Sequence, residues 1–441
     1  MSAANPRTAF LNARLLDPAS GLDIIGDLLV EGDRIADFGP RLFAAGQPAE
    51  AEIVDCQGLC LTPGLVDMRV HAREPGEEYK ETIATAAAAA VAGGVTTMVC
   101  LPNTDPVIDN PALVGFVLQR GREAGLANVK TYGAVTQGAL GVKMSEMGLL
   151  AEAGAVAFTD GTKAVADAVV MRRALAYAKM FDRIIVQHPE EPRLAFGGEA
   201  HASELSTRLG LAGIPAIAEV IMLERDLRLV EVTGGRYHAA HVSTAQGIEV
   251  IRAAKARGLA VTCDTAPPYF GLNETAIGEY RTFARLSPPL RGESDRQAVV
   301  RGLADGTIDA IASDHAPQDQ ESKRVPFSQA APGIIGLETL LPLSLELHHN
   351  GHLPLLDVLR RLSLAPAVIL NLSSGRLAKG AMADLLLFDL NRPWKIDEKN
   401  FTSKSKNSPF DGRPVQGMTL RTVVGGRTVF EIEPNAGRAS P

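Results

Sequence analysis

This chain has little of what marks several large classes of protein. Its 441 residues include only four cysteines and one tryptophan. No apolar run approaches the roughly 20 residues that a membrane span needs, and the N-terminus has no apolar core behind a basic start, as a secretory leader would have. Four scattered cysteines cannot build a disulfide framework in a chain this long, and they indicate a reducing compartment. We therefore expect a cytoplasmic globular protein that does not contact membranes.

An excess of basic charge is also missing. Lysine and arginine number 44 against 51 aspartates and glutamates, which gives a formal net charge of −7. Proteins that bind nucleic acid need basic surfaces, so we expect no nucleic-acid partner. Cys56 and Cys60 stand four apart, but a zinc ribbon needs a second such pair, and the chain has none. We expect buried thiols at these positions.

Two different sequence patterns along the chain predict two structural units. Residues 1–62 and 376–441 contain short apolar runs separated by turn residues, which is typical of hairpin strands, and we expect them to form one small β domain that is split in sequence. Residues 63–375 repeat a strand, a loop and a helix about eight times, which predicts an α/β fold of the (β/α)8 barrel type. The polar stretch at 391–414 predicts a long surface loop.

Polar side chains follow the predicted barrel strands, at the edge where such barrels place their chemistry. A zinc hydrolase of amide bonds needs imidazoles and carboxylates at several strand ends, with one carboxylate to move a proton. A lone histidine at a strand end is more often structural, but several together indicate a site or the remnant of one. The side chains in question are Arg69, His71, Asn103, Asp160, His188, His241, Asp314 and His315.

Several stretches resemble class I dihydroorotases of the amidohydrolase superfamily, and the resemblance runs from about residue 8 to about residue 430. It implies a barrel with a composite β domain, two metals in the working enzymes, and the interconversion of N-carbamoyl-L-aspartate and dihydroorotate in pyrimidine synthesis. Some inactive members of the family hold aspartate transcarbamoylase in an assembly. The matching stretches include TPGLVDMRVHAREPG, LPNTDPVIDNP, AFTDGTKAVADA, HVSTAQGIEVIRAAKARGLAVTCDTAPPYF, SPPLRGESDRQAVVRGLADGTIDAIASDHAP and GIIGLETLLPL.

The positions that match the family's metal ligands are only partly retained. Arg69 stands where the resemblance implies a histidine, and a guanidinium has no lone pair to give to zinc. Alignment without gaps places Gly161 at the carboxylate that bridges two metals, with Asp160 beside it. Asp314 matches the residue that is both ligand and general base. The retained ligand positions are His71, His188, His241 and Asp314.

The positions that match substrate-binding residues are also mixed. Arg73 and Asn103 are retained, whereas Ser287 replaces an asparagine, Gln318 replaces a histidine, and Pro268 replaces a histidine of another motif. A hydrolase with a new substrate would keep its metal ligands and vary its pocket, because the metal supplies most of the chemistry. Both sets have changed here, which favours loss of catalysis over a change of substrate.

We therefore predict a dihydroorotase-like protein that is catalytically inactive, binds no cofactor and acts in a homo- or hetero-oligomer as a structural partner of aspartate transcarbamoylase. In this hypothesis Arg69 takes the place of the lost metal and pairs with Asp314 through a bidentate bond. Two alternatives stay open. One is an active zinc dihydroorotase with a reduced site that holds a single zinc at His188 and His241, and the other is a hydrolase of another cyclic amide.

Overall fold

The computed structural model of the chain describes residues 6–44, 46, 48 and 50–432. The strands in this part of the chain are β1 (Arg7–Asp17), β2 (Leu22–Glu31), β3 (Arg34–Gly39), β4 (Ala51–Asp55), β5 (Cys60–Pro63), β6 (Leu65–Val70), β7 (Val95–Cys100), β8 (Asn128–Thr131), β9 (Ile184–Gln187), β10 (Ala200–His201), β11 (Gly213–Ile214), β12 (Arg236–Ala239), β13 (Val261–Thr265), β14 (Ala310–Ile311), β15 (Leu385–Lys395), β16 (Pro414–Val424) and β17 (Arg427–Glu431).

Helices connect most of the barrel strands, and within the described residues none of them is long and apolar enough to cross a membrane. A π-helical turn at Arg360–Leu364 joins the last two helices. The helices are α1 (Ile83–Ala92), α2 (Pro111–Ala124), α3 (Met147–Ala153), α4 (Ala168–Lys179), α5 (Pro192–Ala195), α6 (Glu204–Leu209), α7 (Ile217–Thr233), α8 (Ala245–Ala256), α9 (Pro267–Gly271), α10 (Glu293–Ala304), α11 (Gln320–Lys323), α12 (Leu340–His349), α13 (Leu355–Leu359) and α14 (Ala365–Ile369).

Strands from both ends of the chain form one mixed sheet. Its order is β17-β16-β15-β5-β1-β2-β3, with β4 paired to β1. The two chain ends meet where β5 and β15 pair antiparallel, with Leu61 opposite Leu387. Gly425 and Gly426 form the turn between β16 and β17 with φ of 53° and 73°, a left-handed conformation that glycine adopts without strain. The composite β domain is therefore confirmed, while its boundaries at residues 62 and 376 stay a prediction.

The chain between β5 and β15 forms a closed parallel barrel. β6, β7 and β8 form one part of its wall, and β9, β12, β13 and β14 form the other. Phe158 joins the two parts through single bridges to Gly133 and Ile185, and Val70 pairs with His315 at the second seam. The predicted (β/α)8 barrel is confirmed, with its fourth strand reduced to the bridge residue Phe158.

The first barrel helix shows why the connections can pack closely. Thr82 caps α1 by accepting a hydrogen bond from the Thr85 backbone amide, and Gly93 is the C-cap residue that ends the helix. A β-carbon on Gly93 would lie 2.1 Å from the Leu337 carbonyl oxygen, so only glycine fits beside the loop that leads to α12. The inner face of α1 carries alanines that leave no room for larger side chains. They are Ala86, Ala87, Ala89 and Ala90, each of them fully buried.

The polar segment at 391–414 is not a surface loop. Its first residues continue β15 as far as Lys395, and its middle part is inserted against the barrel loops. A run of small polar residues can be either solvated or hydrogen-bonded inside a protein, and composition alone does not distinguish the two. The surface-loop prediction is therefore wrong. The buried polar residues of the segment are Ser403, Ser405, Asn407 and Ser408.

Candidate functional site

The C-terminal ends of the barrel strands bring the predicted site residues together. Arg69 lies on β6 and His71 directly follows it, while His188 follows β9 and His241 comes two residues after β12. Asp314 follows β14 and bonds to Arg69 across the barrel mouth. Parallel strands in a closed barrel all end at one rim, which is why residues so distant in sequence meet here.

Arg69 and Asp314 form a buried ion pair at the centre of this rim. Arg69 Nε donates to Asp314 Oδ1 at 2.7 Å, and the two side chains are 2% and 10% exposed. Arg69 Nη2 donates to the carbonyl of Gly161 at 3.4 Å, and Nη1 has no hydrogen-bond partner among the described residues. The predicted pairing is present, but the predicted bidentate geometry is wrong, because Nη2 faces the Gly161 carbonyl and not the carboxylate.

The backbone at the site is held in unusual conformations. Arg73, His241 and Asp314 have φ of 61°, 38° and 50°, a left-handed region that costs side-chain-bearing residues about 1–3 kcal/mol each. Burial raises the pKa of Asp314, and the Arg69 guanidinium opposes that rise. Such strain concentrates at functional sites, so the backbone of this rim is typical of a functional site.

His188 and His241 lie side by side, with His188 Nδ1 3.0 Å from His241 Nε2. Burial lowers the pKa of His241 well below its usual value, so this ring is neutral and one nitrogen of the pair donates to the other. His188 Nε2 also lies 3.5 Å from Glu190 Oε1. Asp264 accepts from the His241 amide at 2.6 Å and contacts His238 Nε2 at 2.8 Å, which fixes the backbone below the pair.

His71 is buried beside Asn103, whose Nδ2 lies 3.4 Å from His71 Nδ1. Burial, reinforced by the charges of Arg73 and Arg69, lowers the pKa of His71 well below its usual value. The ring is therefore neutral, and its Nδ1 can accept a hydrogen bond from the Asn103 amide.

The position that the resemblance assigns to the bridging carboxylate has none. Gly161 has φ of +72°, and a β-carbon there would lie 2.6 Å from Asn103 Oδ1. Asp160 does not substitute for the missing group, because its carboxylate accepts hydrogen bonds from Thr136 N at 2.9 Å and Thr136 Oγ1 at 2.5 Å. Both oxygens are thus committed to the neighbouring loop.

These residues do not fit a centre with two metals. The Arg69 guanidinium takes the contact with Asp314 that a cation would need, and its positive charge would repel a metal ion. The pair His188 and His241 supplies two ligands where zinc usually takes four. Within the described residues, no group of three or more histidine, cysteine, aspartate and glutamate side chains is arranged to hold a metal ion.

A cavity of about 270 Å³ opens beside the ion pair. Arg73 is fixed at its wall, since Nε donates to the Pro317 carbonyl at 3.1 Å and Nη1 to Glu77 Oε2 at 3.0 Å. Four of the five positions that match substrate-binding residues, Arg73, Asn103, Ser287 and Gln318, lie on this wall. The lining residues are His71, Arg73, Asn103, Thr162, Ser287, Asp314, Ala316, Gln318, Pro332 and Gly333. Pro268 does not line the cavity and is buried in α9.

Three residues that support the site are not predicted from the sequence. Thr262 and Asp264 lie two residues apart on β13 and both contact His238. Because side chains two apart on a strand lie on the same face, this spacing indicates a polar layer on one face of the barrel sheet. Asn407 bonds to the cavity wall from the segment that was predicted to be a surface loop. Its sequence neighbours carry no signal of this contact.

Comparison with known proteins gives relatives along nearly the whole chain. Residues 58–247 match the model of the Dihydro-orotase-like family. A dihydroorotase of Anaplasma phagocytophilum is 50% identical over 428 residues, which cover 96% of this chain and 95% of the relative. A dihydroorotase of Pelobacter propionicus is 49% identical over 419 residues, which cover 95% of this chain and 98% of that relative.

Solved structures with the same fold include hydantoinases and dihydropyrimidinases. An L-hydantoinase (dihydropyrimidinase) from Arthrobacter aurescens superposes with a TM-score of 0.85 at 26% identity, covering 96% of both chains. A dihydropyrimidinase from Brevibacillus agri gives a TM-score of 0.84 at 21% identity, covering 96% of this chain and 95% of the other, and at that identity the likeness concerns the fold alone. Together with the relatives at 49–50% identity, these matches show that the chain belongs to the dihydroorotase family of the amidohydrolase superfamily.

Proposed function

We propose that this chain serves pyrimidine biosynthesis as a dihydroorotase-family protein that does not turn over dihydroorotate. The ion pair between Arg69 and Asp314 carries the proposal. A metal-dependent hydrolase needs a Lewis acid that lowers the pKa of its water, together with a carboxylate free to take the proton. A guanidinium does not bind water as a ligand, and its bond to Asp314 occupies the carboxylate at the position of the general base.

We further propose that the chain is a structural partner of aspartate transcarbamoylase. The family resemblance supplies the partner, and large exposed apolar side chains on two neighbouring elements support a role in docking, since such side chains are typical of protein-binding surfaces. We define as the patch four such side chains at α5 and at the start of α7, two helices that contact each other. Its members are Leu194, Phe196, Ile217 and Ile221, which are 39%, 89%, 43% and 42% exposed.

An active dihydroorotase is the second candidate function. The relatives at 45–50% identity are all named dihydroorotase, and their names favour this candidate over the inactive one. Activity through the described site would require a single metal at His188 and His241 or a rearrangement of Arg69 away from Asp314. The names of the relatives and the geometry of the site therefore point in different directions, and an assay separates them.

The decisive experiment is the hydrolysis of dihydroorotate by the purified chain with zinc supplied. An Asp314→Asn variant prepared in parallel is the matched control, because a contaminating host enzyme would give both preparations the same rate. We expect both rates to equal the background. A rate in the wild type that the variant loses would establish the active candidate, and the same assay with hydantoin and dihydrouracil tests hydrolysis of another cyclic amide.

The partner is tested separately, by sedimentation of the chain with purified aspartate transcarbamoylase from the same organism. We expect a complex that the variant Phe196→Asp weakens. Val232→Asp is the matched control, since Val232 is 72% exposed at the far end of α7. Absence of a complex with the wild type would overturn the proposed partner and leave the question of turnover untouched.

A further inference from the structure

Asn407 holds the wall of the cavity by hydrogen bonds from outside the cavity. Its Oδ1 accepts a hydrogen bond from the backbone amide of Gln318 at 3.1 Å. Its Nδ2 donates to the backbone carbonyls of Ala316 at 3.1 Å and Gly333 at 3.0 Å. Its own carbonyl accepts from the Ile335 amide at 3.2 Å. Asn407 is only 2% exposed, so these bonds replace water that the loops would otherwise bind.

The three residues that Asn407 side-chain atoms contact are themselves cavity-lining residues. Ala316 and Gln318 belong to the loop after β14, and Gly333 belongs to the segment that runs on towards α12. One side chain thus ties together two stretches of the wall. Gly333, with φ of +120°, lies so close to Ala316 that a β-carbon on it would be 2.8 Å from the Ala316 β-carbon.

The chain on the N-terminal side of Asn407 is anchored equally firmly. The backbone amides of Thr402 and Ser403 donate to Glu338 at 2.9 and 3.0 Å, and the Ser403 hydroxyl bonds to the buried carboxylate of Glu81. Ser405 Oγ donates to the Lys80 carbonyl at 2.8 Å. These bonds reach the loop after β6 and the turn before α12, so the segment spans both sides of the barrel seam.

The same segment is continuous with the composite sheet. It leaves the end of β15, where Trp394 Nε1 donates to the Gly417 carbonyl at 2.8 Å, and returns into β16. The C-terminal part of the β domain therefore reaches the barrel mouth through residues 402–408, which we name the clasp.

We propose that Asn407 is the one positioning residue of the clasp for the cavity, so that a small carboxylate ligand binds only while Asn407 holds the two wall stretches together. Asn407 touches no ligand itself and acts through Ala316, Gln318 and Gly333. The inference rests on membership in the dihydroorotase family and not on whether the chain has activity, since binding and turnover are separate properties.

The test compares Asn407→Asp with the wild type in zinc-free protein. Aspartate keeps the acceptor for the Gln318 amide but loses both donors and points a carboxylate at two carbonyls. Hydrogen–deuterium exchange at Gln318 should accelerate by about tenfold to a hundredfold, as expected for a weakened buried hydrogen bond. Titration with N-carbamoyl-L-aspartate should show a Kd at least about tenfold weaker than that of the wild type.

A rescue by pH separates positioning from a general loss of structure. Burial raises the pKa of a carboxyl group, so lowering the pH to about 5 protonates the carboxylate that Asn407→Asp introduces and restores one donor. Exchange at Gln318 in the variant should then return towards the wild-type value measured at the same pH. Unfolding that is not reversed at low pH would contradict the proposal.

Two variants control for effects elsewhere. Ser405→Ala removes a clasp bond to the Lys80 carbonyl without touching the wall residues, and Asn391→Asp adds the same charge at an exposed position. Both should leave exchange at Gln318 and ligand affinity at the wild-type values. Equal loss of affinity in Ser405→Ala and Asn407→Asp, or no binding of N-carbamoyl-L-aspartate by the wild type, would overturn the proposal; turnover with zinc would overturn only the proposed inactivity.

Discussion

At the scale of single residues, the site shows what a guanidinium can and cannot take over from a metal. Arg69 supplies a positive charge and hydrogen bonds at the barrel rim, and it compensates the buried carboxylate of Asp314. It offers no open coordination position for water. In the proposed inactive protein, Arg69 therefore maintains the electrostatic balance of the site without supplying the means of activating a nucleophile.

Removing Asp314 should destabilise the fold. The variant Asp314→Ala leaves the Arg69 guanidinium buried without its counter-charge, which costs about 3–5 kcal/mol. Urea unfolding measures this loss. The double variant Arg69→Met with Asp314→Ala should regain most of it, because no charge is then left buried. A loss below about 1 kcal/mol would mean that the pair behaves like a solvated one.

A side chain at Gly161 should destabilise the fold for two reasons, the backbone conformation and a steric clash. Gly161→Ala meets a backbone conformation of φ +72° and the Asn103 amide within 2.6 Å of the new carbon. Gly197→Ala is the matched control, since Gly197 has φ of +73° and nothing within 4 Å. The conformation alone costs about 1–2 kcal/mol, and unfolding measurements should find a larger loss at Gly161. Equal losses would show that Asn103 moves aside freely.

Lys323 should make stability depend on alkaline pH. Burial lowers its pKa to about 7, although Nζ donates to the carbonyls of Thr282 and Ala331. Between pH 7 and the ordinary lysine pKa of about 10.4, the unfolded chain binds more protons than the native one, so the free energy of unfolding rises with pH.

The comparison that isolates this effect is with Lys323→Met, which cannot titrate. The free energy of unfolding of the wild type minus that of the variant should increase as the pH rises from 7 to about 10.4, by at most about 1.4 kcal/mol per pH unit. A difference that stays flat from pH 7 to 10 would show that the native lysine keeps its ordinary pKa.

At the scale of elements, the alanine face of α1 and the clasp illustrate two degrees of predictability. The alanine-rich run before Gly93 and Gly94 predicts the helix and its C-terminal end. The clasp follows no period, and its structure depends on carboxylates and carbonyls from loops far away in sequence, such as Glu81 and Glu338. A local sequence pattern therefore predicts α1 but does not predict the structure of the clasp.

The inner face of α1 should tolerate no extra volume. Ala87→Leu inserts three carbons where the side chain is fully buried, and such overpacking costs about 1–3 kcal/mol. Ala84→Leu is the control on the exposed face of the same helix and should change stability by less than about 0.5 kcal/mol. Thermal unfolding of the two variants measures the difference; similar values would mean that the helix can shift outward.

At the scale of the whole molecule, the sheet that joins the chain ends is part of one structure with the barrel. β16 lies inside that sheet between β15 and β17, and its Thr422 hydroxyl donates to the Val91 carbonyl of α1 at 2.7 Å. The last strands thus cover the first barrel helix. The split domain is therefore expected to fold only together with the barrel.

A chain that ends at Arg413 should not fold to a soluble protein. It lacks β16 and β17, so β15 becomes an open edge and apolar residues of the sheet face water. Solubility on expression and far-ultraviolet circular dichroism check this. Co-expression of residues 414–441 as a separate chain should restore solubility in part, and a fully soluble, folded truncated chain would refute the dependence.

The barrel, the split β domain and the list of rim residues can be read from the sequence, because the alternation of strand and helix and the positions of strand ends are local patterns. The sequence also predicts the loss of metal ligands at positions 69 and 161, since the side chains of arginine and glycine cannot coordinate zinc wherever they lie. Only the tertiary structure decided that Arg69 meets Asp314 through one bond, that Asp160 turns to Thr136, and that Asn407 holds the cavity wall. These facts depend on which distant loops share the rim, and hydrogen-bond partners that are 24 to 245 residues apart leave no period in the chain.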